Sequence, residues 1–250
     1  ISTLSSQIKL MMRYFFLFLA LQVNILAFAQ EISGKQLLEK ALAFHDPNDN
    51  WKSFKGEMLI EMESPNNGTR STTIQIDLPS NYFKSTVKKD NYTIESELNN
   101  EECTLKLDGS TTISAKVKDS LKISCDRAKM MKNYYTYLYG LPMKLKDPGT
   151  IIDPKVQRKT FKGKEYLVLK AGYEKEVGSD TWYFYFDPKT YAMEVYQFFH
   201  DESKNDGEYI LLSEMITVNG IKIPKVRAWY YNKEDVYLAT DKLVKGKILD

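Results

Sequence analysis

Four runs of sequence decide the fold: residues 181–187 (TWYFYFD), 191–199 (YAMEVYQFF), 209–218 (YILLSEMITV) and 221–231 (IKIPKVRAWYY). Each is rich in aromatic and β-branched residues, and each is bounded by turn formers: a D-P-K-T segment, a polar loop and an N-G pair. In the first run Trp182, Phe184 and Phe186 alternate with Tyr183 and Tyr185, the period of two that an extended strand imposes. The Asn219-Gly220 pair, between Val218 and Ile221, is the strongest hairpin signal in the chain. Connections this short join antiparallel neighbours and leave no room for a crossover helix, so the sheet is expected to be antiparallel throughout.

The same alternation continues toward the N-terminus. Met58, Ile60 and Met62 alternate with Glu57, Glu61 and Glu63, and after a P-N-N-G turn at 65–68 Ile74, Ile76 and Leu78 point to the same core. Further strands are predicted at 81–87 and 92–98, followed by three short ones at 103–107, 111–115 and 121–125. Ser33 is placed to cap a helix with Leu37, Leu38, Ala41, Leu42 and Phe44 on one face. A second helix is predicted over 126–139, stopped by Gly140 and Leu141-Pro142. Its apolar residues (Met130, Met131, Tyr134, Tyr135, Tyr137, Leu138 and Tyr139) cover far more than the ~100° stripe a surface helix needs. Such a helix is either covered on two sides or faces a cavity. Residues 236–249 read as one strand plus a tail. About ten strands in one sheet must twist, curl or close. The expected class is therefore α+β, a strongly curved antiparallel sheet covered by two helices.

Upstream, Arg13, the apolar run 14–26 and Ala27-Phe28-Ala29 before Gln30 have the form of a secretory signal peptide. On this expectation residues 1–10, ahead of Met11 and Met12, are untranslated leader, and 30–250 is a single exported domain, periplasmic or secreted. The apolar run is shorter than the ~20 residues of a spanning helix, and no Cys stands at the cleavage point to carry a lipid. An integral membrane protein is not expected. Cleavage removes Lys9 and Arg13 and no acid, so the 35 basic residues fall to 33 against 33 acidic ones. A protein that draws its affinity from nucleic-acid phosphates shows a basic surplus, so no nucleic-acid partner is expected.

Two cysteines in an oxidising compartment usually pair. The three short strands argue otherwise: Cys103 and Cys125 would lie at opposite ends of the first and third, roughly 15 Å apart at the rise of a strand. That exceeds the ~7 Å limit for a bridge, and both are expected as free, buried, small hydrophobes. His45 and His200 fall at predicted solvated turns. The spacings H-x-x-x-H, C-x-x-C and G-x-S-x-G are missing, Asp201, Glu202 and Asp206 do not have EF-hand spacing, and Glu194 and Glu214 show no pairing. No catalytic residue, metal or cofactor is expected, and the chain is not read as an enzyme.

The segments 45–51 (HDPNDNW), 133–149 (NYYTYLYGLPMKLKDPG), 180–188 (DTWYFYFDP), 206–210 (DGEYI) and 218–224 (VNGIKIP) resemble a family of exported, functionally uncharacterised proteins found mainly in Bacteroidota. Its C-terminal half in turn resembles the periplasmic lipoprotein carriers of the LolA/LolB kind. That resemblance implies an unclosed β-barrel with helices as a lid over an apolar cavity for acyl chains. None of Arg70, Arg127, Arg158 and Arg227 lies in a motif that matches the carriers' lid-locking arginine. The expected cavity lining is Met58, Ile60, Met62, Ile74 and Ile76 from the N-terminal strands, Trp182, Phe184 and Phe186 from the C-terminal ones, and Met130 and Tyr134 from the second helix. The expected partner is a lipid or other apolar small molecule bound by a monomer, with an envelope protein or lipoprotein as a further partner. The rival expectation is an envelope interaction scaffold with a filled barrel and no ligand, whose outer tyrosines Tyr183, Tyr185 and Tyr230 meet a partner or glycan.

Overall fold

A computed structural model describes residues 31–249; the leader and signal peptide expected within 1–29 lie outside the described residues. From Ser33 onward the chain forms one antiparallel sheet of thirteen strands crossed by helices. The strands are β1 (Lys55–Ser64), β2 (Gly68–Asp77), β3 (Tyr82–Lys89), β4 (Tyr92–Asn99), β5 (Glu102–Leu107), β6 (Thr150–Ile152), β7 (Gln157–Phe161), β8 (Lys164–Tyr173), β9 (Thr181–Phe186), β10 (Met193–Phe199), β11 (Glu208–Val218), β12 (Ile221–Tyr231) and β13 (Tyr237–Ile248). Their order is β5-β4-β3-β2-β1-β13-β12-β11-β10-β9-β8-β6, with β7 continuing along the same edge of β8 as β6. The edge strands do not meet, so the barrel is not closed.

The four runs around residue 200 form β9 to β12, and Asn219-Gly220 takes positive φ at both positions as the hairpin requires. The segment expected to be one strand plus a tail is instead the twelve-residue β13. It pairs with β1 on one side and β12 on the other and so joins the two halves of the sheet. A register shift opposite Leu59/Ile60 interrupts its alternation, which explains its weak sequence pattern.

Helix α1 (Gly34–His45) starts where expected: the Ser33 side chain accepts from the Gln36 amide and Gln36 reaches back to the Ser33 N–H, a complete capping box. Leu37, Leu38 and Ala41 are buried against the sheet. His45 at its end is not in a solvated turn. It is fully buried, and its ring joins the backbone of Lys222 (Nδ1 to O, 2.7 Å) and Met193 (N to Nε2, 2.9 Å). The tight D-P-N-D turn that follows carries the chain onward while the ring closes the seam between α1 and the sheet.

Strands were predicted at 111–115 and 121–125, and neither forms. Ser114 caps the short helix α2 (Ala115–Leu121), and Ser124 caps α3 (Cys125–Gly140), each hydroxyl accepting an amide three residues on. That double turn brings the start of α3 back over β4 and β5. Cys103 and Cys125 therefore lie 6.0 Å apart between Cα atoms and form a disulfide. The 15 Å separation rested on three consecutive strands that do not exist. The bridge ties the first residue of α3 to the edge strand β5.

The outer tyrosines are also not free. Tyr183 and Tyr185 are buried in a small second core with Tyr166, Val168 and Val195, packed by Phe161, Phe199 and Leu211. Lys159 sits 4.3 Å over the Tyr183 ring and Lys170 5.3 Å from it, so lysine stems cover part of this face.

Candidate functional site beneath helix α3

Cross-strand register builds the centre of the inner face. Arg70 on β2 stands opposite Met62 on β1, Met62 opposite Asp241 on β13, Asp241 opposite Arg227 on β12, and Arg227 opposite Leu212 on β11. Side chains at matched register share a face, so one row across the sheet carries two guanidinium groups and a carboxylate. Two residues along β12 and β13, on the same face, are Trp229 and Ala239, and Tyr196 of β10 meets Trp229 edge-on at 6.3 Å.

Helix α3 lies across this row. Its Tyr135 stacks toward Phe83 of β3, its Tyr134 stacks on Trp229 at 6.3 Å and 20°, and its Tyr137 meets Trp182 of β9 and Tyr173 of β8. The helix thus touches strands from both halves of the sheet, which accounts for aromatic residues around most of its circumference. Arg227 holds it from below. The guanidinium is 1% exposed, donates from Nη1 to the Pro224 carbonyl (2.8 Å) and from Nη2 to the Leu138 carbonyl of α3 (3.4 Å), and lies 4.0 Å from the Tyr139 ring.

The cluster is polar but not self-sufficient. Among the described residues six buried side-chain atoms lack a hydrogen-bond partner: Arg70 Nε, Arg227 Nε, Trp229 Nε1, Tyr139 Oη, Tyr196 Oη and Asp241 Oδ1. Buried polar groups in folded proteins are nearly always paired, so six in one place mark a site rather than a finished core. Burial raises the Asp241 carboxyl above the usual range, against the pull of Arg227 and Arg70. Burial likewise pushes up the phenols of Tyr134, Tyr139 and Tyr196, each also raised by the Asp241 charge. The guanidinium of Arg227 and the indole of Trp229 are near enough to lower Tyr196 and Asp241, respectively, without meeting hydrogen-bond geometry.

The expected lining residues fall into three groups. Met58, Ile60, Ile74, Ile76, Phe184 and Phe186 are on the sheet and no more than 2% exposed. Met62, Tyr134 and Trp182 are partly buried at or near the polar row: Met62 lies between Arg70 and Asp241, Tyr134 on Trp229, and Trp182 6.1 Å from Tyr196. Met130 stands apart, 48% exposed, beside a cavity of about 400 Å³ at the α2–α3 junction with Ile123 and Arg127. A second cavity, about 460 Å³, lies between the end of α1, Trp51 and Met143, away from the polar row. Arg70, Arg227, Asp241, Tyr196 and Trp229 had no linear signal, and only strand register brings them together; Tyr139, read in the sequence as an apolar residue of the second helix, reaches them from α3.

Residues 12–246 match a family of unknown function, DUF6503. The chain belongs to this family. Among solved structures it is similar to a domain from Vibrio parahaemolyticus described as an outer membrane lipoprotein-sorting protein, at 11% identity and a TM-score of 0.50, covering 86% of this chain and 93% of that one. It is similar to a DUF1329 family protein from Desulfovibrio piger at 10% identity and a TM-score of 0.51, covering 88% and 94%. A LolA superfamily protein from Nitrosomonas europaea also aligns, at 10% identity and a TM-score of 0.49, over 88% and 94%. No curated protein matches the sequence. The DUF6503 chain thus shares the fold of the Vibrio domain and the DUF1329 protein, an unclosed antiparallel sheet with helices across it, as the resemblance implied. Among its described residues no helix is long and apolar enough to cross a membrane, and no group of three or more His, Cys, Asp and Glu side chains could hold a metal ion.

Proposed function

We propose that this protein is an exported carrier that holds an apolar or amphiphilic small molecule between α3 and the inner face of its sheet, and performs no covalent chemistry. The observation that carries this reading is the set of six unpartnered polar atoms beneath α3. A scaffold with a finished core would satisfy those groups or replace them with apolar ones. The surrounding surface suits an apolar chain: Met62 adapts its shape readily, and the Tyr134, Trp229 and Trp182 rings offer area at little entropic cost. Each Å² of apolar ligand taken from water contributes ~25 cal/mol. Access requires α3 to move while the disulfide holds its first residue to β5. The LolA-like fold is compatible with this use, and the lipoprotein-sorting description of the Vibrio domain points the same way.

The rival reading, a filled scaffold, draws on the burial of Met58, Ile60, Ile74, Ile76, Phe184 and Phe186. A titration with a polyene fatty acid, read by energy transfer from Trp182 and Trp229, separates the two. Saturable transfer with one site per chain supports the carrier. Absence of transfer at any probe concentration up to its solubility supports the scaffold.

A further inference from the structure

We propose, building on the carrier reading, that the row beneath α3 receives an anionic oxygen head group, a carboxylate or phosphate ester, borne by an apolar chain. The inventory of unpartnered atoms sets the chemistry. Arg70 Nε, Arg227 Nε and Trp229 Nε1 can only donate, the Tyr139 and Tyr196 hydroxyls can donate, and Asp241 Oδ1 is the one atom that only accepts when ionised. Arg227 lies near Tyr196 and Trp229 near Asp241, which leaves Arg70 Nε and the Tyr139 hydroxyl as the donors with no acceptor beside them, and a group rich in acceptors completes the site. A neutral alcohol offers one oxygen and a quaternary amine offers none.

Charge gives the same answer. Two guanidinium groups stand in the row against the Asp241 carboxylate; the Glu208 carboxyl of β11, which acts on Tyr196, lies outside the row and is raised by burial. Water is largely excluded at the row, where an anion beside the guanidinium groups gains most. Arg227 is already fixed by the Pro224 and Leu138 carbonyls and by the Tyr139 ring, so its Nε–H is held in place before a ligand arrives. Arg70, from β2, approaches from the other side of Met62 and Asp241. The apolar chain has its own neighbours in Met62 and in the stacked rings of Tyr134 and Trp229. Asp241 counters part of the positive charge, which disfavours a polyanion.

The test uses the full exported chain, stripped of lipid, in calorimetric titrations with dodecanoate, dodecyl phosphate, dodecanol, acetate and inorganic phosphate. Charge-assisted hydrogen bonds predict that at least one anionic amphiphile binds about tenfold or more tightly than dodecanol. Arg70→Met, at a half-buried position, is expected to bring that ratio to within about twofold. Arg70→Lys is expected to retain part of the preference. Dodecanol binding as tightly as both anions overturns the head-group inference and leaves the carrier standing. Inorganic phosphate or acetate binding as tightly as its dodecyl counterpart overturns the amphiphile and indicates a small-anion site. Failure of all the chain-bearing probes to bind overturns the carrier reading and the inference together.

Discussion

Acid should destabilise this protein through one histidine. Because the Met193 amide can only donate, His45 Nε2 must carry a lone pair, and the proton must sit on Nδ1, where it is donated to the Lys222 carbonyl. A second proton would set Nε2–H against Met193 N–H inside the seam between α1 and the sheet. Burial is the main cause that lowers the His45 pKa from 6.5 to about 4; the Lys222 carbonyl bond opposes it and the Lys222 charge adds to it. The folded pKa lies below the unfolded one, so the neutral ring's contribution is fully present above pH 6.5 and is lost as pH falls toward 4. Linkage over that window amounts to about 3 kcal/mol. Urea unfolding of the wild type and of His45→Gln at pH 7, 5.5 and 4 isolates the effect, because carboxylates elsewhere contribute equally to both. Gln can still accept from Met193 but does not titrate. The wild type should be the more stable at pH 7, and its advantage should shrink by about 3 kcal/mol by pH 4. Parallel pH curves for the two proteins, within about 0.5 kcal/mol, would refute the assigned tautomer and burial.

Two further perturbations probe the frame around the site. Replacing Cys103 and Cys125 by Ser opens a loop spanning 22 residues and should cost about 3 kcal/mol in denaturant unfolding. Hydrogen exchange should also speed up at the N-terminal turns of α3 more than in β1 or β13. A Cβ at position 34 would stand 2.0 Å from the Asp153 carbonyl oxygen, a backbone atom that cannot step aside. Gly34→Ala should therefore lower the unfolding midpoint by an amount equivalent to about 1–3 kcal/mol, whereas Gly172→Ala, which meets nothing within 4 Å, should be milder.

The parts of this fold that could be read in the sequence are those that rest on local rules. The alternation of Trp182, Phe184 and Phe186 with Tyr183 and Tyr185, the Asn219-Gly220 turn and the Ser33 cap each state their own conformation within a few residues. The failures share one physical origin, dependence on distant partners. Residues 111–115 and 121–125 read as two short strands, with Leu121 and Ile123 in apolar alternation, yet the hydroxyls of Ser114 and Ser124 start helices there, and that choice brings Cys125 to Cys103. His45 looked like a turn residue because its partners, Met193 and Lys222, are 148 and 177 positions away. The site shows both outcomes. Met62, Tyr134 and Trp182 follow local apolar patterns that a sequence displays, but Arg70, Asp241 and Arg227 come into one row only through the register of four strands. Asp241 in particular lies in β13, whose register shift hides its alternation.

The central claim is that something other than the protein's own side chains belongs beneath α3. Native mass spectrometry of the chain purified without detergent from an exporting host tests it most directly. A bound mass is expected that is released by mild activation, identified as an amphiphile in the solvent extract, and lost or exchanged in an Arg70→Met, Arg227→Met double variant that still folds. A wild-type spectrum showing only the bare mature chain, unchanged after incubation with excess anionic and neutral amphiphiles, would contradict it.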